Sequence, residues 1–121
     1  MSYMLLIVEP VGQRATRNEE QGREAYAQMQ RFGEALAAED KLVAVESLAS
    51  SASAVRVSQA PGLPAWRDGP FAEAKEMIGG FFLLKNVDRE EAIAWAKRCP
   101  AAQWATVEVR GLAPCFDEGL S

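Results

Sequence analysis

Every residue from Tyr3 to Val8 is apolar, and so is every residue from Phe81 to Leu84. Both runs favour a pleated sheet. Pro10 and Gly12 close the first and Gly79-Gly80 precedes the second, so they read as strands over Tyr3–Glu9 and Phe81–Val87. Successive strand residues face opposite ways, so Met4, Leu6 and Val8 oppose Leu5 and Ile7, while Phe81 and Leu83 oppose Phe82 and Leu84. A sheet with one wet face alternates apolar and polar residues, and these strands do not. Both of their faces must be covered. The remaining sequence offers two helices, enough for one face, and a second copy of the chain is the simplest cover for the other.

A helix is expected over Glu19–Ala38, where Tyr26, Met29, Phe32 and Leu36 recur at spacings of three and four. Glu19, Glu20 and Glu24 suit the positive end of its dipole, and Gly22 weakens its first turns. Leu42–Leu48 reads as a strand, residues 47–53 as a Ser/Ala-rich loop, and Ala54–Ser58 as a short strand. Pro61, Gly62 and Pro64 mark a turn, after which Ala65–Arg67 pairs back as a hairpin. Asp68-Gly-Pro-Phe71 is a further turn, and Ala72–Ile78 shows no periodicity. Asp88 opens a second helix with Glu91 three residues on, a capping-box pattern. Ala92, Trp95, Ala96 and Cys99 share one of its faces, and Pro100 stops it. Thr106–Leu112 is the last strand, and the tail Ala113–Ser121 reads as loosely held. The order implies one α+β domain over residues 1–121, a ferredoxin-like split β-α-β with an extra hairpin.

Composition removes several chemistries. The chain has no histidine, so a Ser-His-Asp triad, a Cys-His dyad and any imidazole metal site are excluded. Acid–base work falls to carboxylates, Lys, Tyr, Cys or water. Cys99 and Cys115 form no CxxC pair and read as free thiols, Cys99 buried on its helix. A net charge of −4 with scattered arginines argues against nucleic acid. The run Met4–Val8 is too short to cross a bilayer. No basic segment precedes it, so it does not read as a signal peptide. A cytoplasmic protein with no cofactor, no metal and no membrane partner is expected.

The polar residues near the Asp68 turn are the candidate site. Either Asp68 fixes its own turn through backbone N–H groups, or the turn holds its carboxylate at a pocket mouth as general base or ligand acceptor. Gly69, Pro70 and Phe71 complete that turn. Glu73, Lys75 and Glu76 either face the same pocket or form a solvated charged face, and Arg56 on the hairpin is equally open. Gly79-Gly80 suggests a bulge or a close backbone approach. Glu108 and Arg110 either pair with each other or face a dimer lumen. Trp66 and Trp104 serve as pocket walls or as packing.

These residues resemble the YCII-related family, in its DGPF subgroup. The likeness rests on Tyr3-Met-Leu-Leu-Ile7, Ser53–Val57, Arg67-Asp-Gly-Pro-Phe-Ala-Glu-Ala-Lys-Glu76, Ile78–Leu84, Asp88–Pro100 with Ala101-Ala102, and Val107–Arg110. It implies a ferredoxin-like fold that dimerises sheet to sheet as a dimeric α/β barrel, with a cleft for a small molecule. A His-Asp pair proposed for some relatives has no counterpart here, and only Asp68 of the turn motif carries over. The resemblance also implies an alternative, non-enzymatic role beside an extracytoplasmic-function sigma factor.

Overall fold

The computed structural model describes residues 1–117. Its strands and helices run in the order β1 (Tyr3–Pro10), α1 (Glu19–Ala38), β2 (Leu42–Ser47), β3 (Val55–Val57), β4 (Trp66–Asp68), β5 (Glu76–Leu84), α2 (Arg89–Arg98) and β6 (Thr106–Gly111). Short 3-10 turns at Gln13–Thr16, Ser51–Ser53 and Pro100–Gln103 link them. Four strands form one antiparallel sheet in the order β2-β5-β1-β6, and β3 pairs with β4 in a separate hairpin. The architecture is α+β and consistent with a ferredoxin-like fold. Of the expected loose tail, residues 118–121 lie outside the described residues, and 113–117 are exposed.

Strand phase is settled by burial. Tyr3, Leu5, Ile7, Phe82 and Leu84 point into the core beneath the helices, where Leu5 and Leu84 are fully buried with Leu36 of α1. Phe32 stands edge-on to Phe82 at 5.1 Å and to Trp95 of α2 at 5.9 Å, a packing that the ring quadrupoles favour. Val107 and Val109 pack against the same core. Met4, Leu6, Val8, Phe81 and Leu83 therefore share the opposite face. Leu6 lies between Phe81 and Glu108 there, and Met4 between Leu83 and Arg110. Glu108 and Arg110 pair with each other on that face.

Both helices are capped as their sequences dictate. The Asn18 side chain accepts from the Gln21 N–H and the Gln21 side chain returns a bond to Asn18, which starts α1 at Glu19 despite Gly22. Asp88 caps α2 by accepting from the Glu91 N–H at 2.8 Å. The reciprocal half of the expected box is missing, because the Glu91 carboxylate turns to Lys41 at 3.0 Å. The second long strand begins at Glu76, not Phe81, since a register shift opposite Ile7 and Val8 hides its alternation.

The α2 face is buried as expected through Ala92, Trp95 and Ala96, with Cys99 at its end. The Cys99 thiol lies 3.9 Å from the Met29 sulfur, and burial pushes its pKa up to about 11, although the Ala101 N–H draws it partly back. Cys115 is exposed. A disulfide-exchange reagent at neutral pH should thus label the native protein once, at Cys115, and reach Cys99 only after unfolding. Rapid labelling of both thiols in the native state would contradict this burial.

Candidate functional site

Helix α1 has two different sides. Phe32 and Leu36 fill the core, but Gly22, Ala25, Met29, Gly33 and Ala37 line a groove between α1 and the sheet. Gly22 and Gly33 lie about three turns apart on one helical face. Large side chains normally fill the space between a helix and a sheet, so small ones leave it open. The result is a cavity of about 670 Å³, floored by Ile7, Val45 and Phe82, with Leu42 and Trp104 also on its walls. Tyr26, expected in the buried stripe, is instead exposed beside this opening.

The first turn of α1, the end of β1 and the end of β2 meet at one end of the groove. Because Tyr3, Leu5 and Ile7 point inward, strand alternation sends Glu9 inward as well, and it is only 6% exposed. Such a charge needs a partner. Gly12, in the left-handed region at φ 90°, turns the chain back into the 3-10 turn that carries Arg14. The Arg14 guanidinium grips both Glu9 oxygens, through Nε at 3.1 Å and Nη2 at 2.8 Å. It also donates to the carbonyls of Leu48 at 2.7 Å and Gly79 at 3.3 Å, joining β1, β2 and β5. Gly79 is required here: a Cβ on it would lie 1.6 Å from Glu9 Oε1. Gly80 has a similar reason, since its Cβ would lie 2.7 Å from the Glu46 carbonyl oxygen. The expected bulge and close approach at Gly79-Gly80 are thus both present, and they make room for a buried ion pair. Arg17 lies at the same end, with its guanidinium 5.5 Å from the centre of the Trp104 ring.

The residues named from sequence come together elsewhere. Phe71, 4% exposed, has the guanidinium of Arg56 3.8 Å and that of Arg67 5.2 Å from its ring centre. Arg67 forks onto Glu73 with two bonds of 2.6 Å, and Arg56 reaches the same carboxylate at 3.4 Å. Arg67 first, then the residue's own backbone N–H and the charge of Arg56, lower the Glu73 pKa to about 2, and Glu73 in turn raises that of Arg67. Asp68 is exposed and accepts from the Trp66 indole at 3.1 Å. The turn itself is held by the Gly69 N–H on the Ala54 carbonyl at 2.8 Å, and a Cβ at Gly69 would lie 2.2 Å from the Ser51 oxygen. Pro70 follows through a cis bond. Lys75 and Glu76 are exposed and join no ion pair among the described residues. None of these side chains lines the groove.

Sequence reasoning missed Glu9, Arg14 and Arg17. The one available signal was the phase of Glu9, a carboxylate in step with Leu5 and Ile7. Among the described residues no group of three or more Cys, Asp or Glu is placed to hold a metal ion, and no helix is long and apolar enough to cross a membrane.

A family model for the YCII-related domain matches residues 1–115. The chain belongs to the YCII-related family. No curated protein matches it. The match spans β1 to β6, so it takes in the groove, the buried Glu9–Arg14 pair and the Phe71 hairpin as parts of one YCII-related domain.

Proposed function

We propose that this YCII-related protein binds a small organic molecule in the groove between α1 and the sheet. The observation that carries the reading is a cavity of about 670 Å³ on the helix-covered face, walled by Gly22 and Gly33 and closed at one end by Glu9–Arg14. Its size falls within the range of ligand sites, and its mostly apolar wall with a few polar groups at one end matches their usual make-up. With both oxygens held by Arg14, Glu9 serves as a fixed acceptor that orients a ligand. The expected small-molecule role therefore moves from the Asp68 hairpin to the groove.

The same proposal includes a homodimer in the dimeric α/β-barrel manner of the DGPF subgroup, working in the cytoplasm. The face carrying Met4, Leu6, Val8, Phe81 and Leu83 supports it, because these apolar side chains lie opposite the helices and Met4, Val8, Phe81 and Leu83 stay partly exposed. A second reading, contact with a protein partner such as a sigma factor, is favoured by the hairpin, where Val57, Leu63 and Trp66 are more than half exposed.

A neutral hydrophobic dye such as N-phenylnaphthylamine tests the groove. Its fluorescence should rise on mixing with the native protein. The response should largely vanish in Gly33→Leu, whose Cβ would sit at an ordinary 3.6 Å from Phe82 while the rest of the side chain fills the cavity. An undiminished signal in a folded Gly33→Leu variant would rule the groove out.

A further inference from the structure

The groove has a direction, and this identifies the kind of molecule that it takes. Helix α1 is 20 residues long, a span of about 30 Å at the usual rise, and β2 returns alongside it. Arg14, Arg17 and Glu9 gather where α1 starts and β2 ends. Gly33, Ala37, Leu42 and Val45 line the remainder.

Charge is uneven along this length. Glu9 is neutralised by Arg14, and Glu19 pairs with Arg23 at 2.5 Å. Glu46 shares the sheet face of Phe81, away from α1, so it lends the groove its backbone. Arg17 rests over Trp104, and no carboxylate among the described residues pairs with it. Glu34 is exposed on the rim about 22 Å along the helix from its first residue, Glu19. One end therefore presents a cation without a counter-charge, and the distant rim presents an anion.

We infer that the ligand is an elongated amphipathic anion, its acid group at Arg17 and its apolar tail running beneath Ala25 towards Gly33. The inference rests on the groove being the binding site. A volume of 670 Å³ at roughly 30 Å³ per water-sized group admits about 20 non-hydrogen atoms, enough for a medium-chain carboxylate. A planar guanidinium suits a carboxylate, and the Trp104 ring lies against one side of it.

Titration calorimetry of the native protein with dodecanoate and with the neutral dodecanol tests this. Dodecanoate should bind at least about tenfold more tightly, the effect of one charge-assisted contact. Arg17→Gln should bring the acid down to the level of the alcohol with an unchanged melting curve, and Ala25→Leu, on the groove wall nearer Arg17, should weaken both. Equal binding of acid and alcohol, or full acid binding by Arg17→Gln, would overturn the anion assignment and leave the groove standing. Dodecanoate binding that survives Ala25→Leu would place the molecule elsewhere. Failure of both compounds with a protein that still takes up the neutral dye would overturn the ligand class alone. Failure of the dye as well would remove the groove reading itself.

Discussion

Gly79→Ala is expected to destabilise the protein by about 3 kcal/mol or more, the cost of breaking a buried charge pair. The new methyl group would stand 1.6 Å from Glu9 Oε1 and 2.9 Å from Arg14 Nη2, so the carboxylate has to leave its place. Displacing it breaks the pair of hydrogen bonds from Arg14 and leaves a charge without its partner inside the fold. The tie that Arg14 makes to Leu48 and Gly79 loosens with it. A domain of this size is commonly stable by only about 5–15 kcal/mol, so the loss is a large share of the total. Urea unfolding of Gly79→Ala, Glu9→Ala and the double variant measures it. With the carboxylate gone, the alanine at position 79 should cost far less, a coupling above ~1 kcal/mol. Strictly additive losses would mean that the glycine answers to some other constraint.

The adjacent phenylalanines of β5 should behave in opposite ways. Phe82 is buried against Phe32, so Phe82→Asp places an unpaired charge in the core and removes an aromatic ring, a loss of about 4 kcal/mol or more. That variant should fail to fold. Phe81 shares the other face with Leu6 and Leu83, and Phe81→Asp should leave the helical circular dichroism intact while splitting the proposed dimer. An interface there should bury more than roughly 1,000 Å² in total. Sedimentation decides the matter: the native chain should run as a dimer at micromolar concentration and Phe81→Asp as a monomer. A native monomer over that range would dispose of the sheet-face dimer.

Much of the fold was legible because its strongest signals are local. Phe32 and Leu36 at helical spacing mark the core side of α1, and the Ala92–Cys99 face marks that of α2. The strand reading of Tyr3–Glu9 follows from its β-favouring run and the proline behind it. The start of β5 was hidden because the bulge at Gly79 breaks its alternation, and Ala72–Ile78 therefore showed no period. The groove was hidden for a different reason. Gly22 looks like a flaw in a helix until a sheet lies opposite it, and Arg14 meets Gly79 only through the register of β1 with β5. Motif chemistry drew attention to Asp68-Gly-Pro-Phe71. There the structure gives two of the four residues packing work: Gly69 admits the Ser51 carbonyl, and Phe71 packs against two arginines.

The division of α1 into a core side and an open side bears on how readily the proposed ligand range of this scaffold can be retuned. Positions 22, 25, 33 and 37 set the room beneath the helix, while Phe32 and Leu36 hold the helix to the body. Girth can change at the first set without disturbing the second. Each glycine replaced by alanine there should also firm the helix, by about 0.5–1 kcal/mol. For the proposed ligand, narrow selectivity and thermal robustness should then rise together, and a broader range should be reached only as the helix softens.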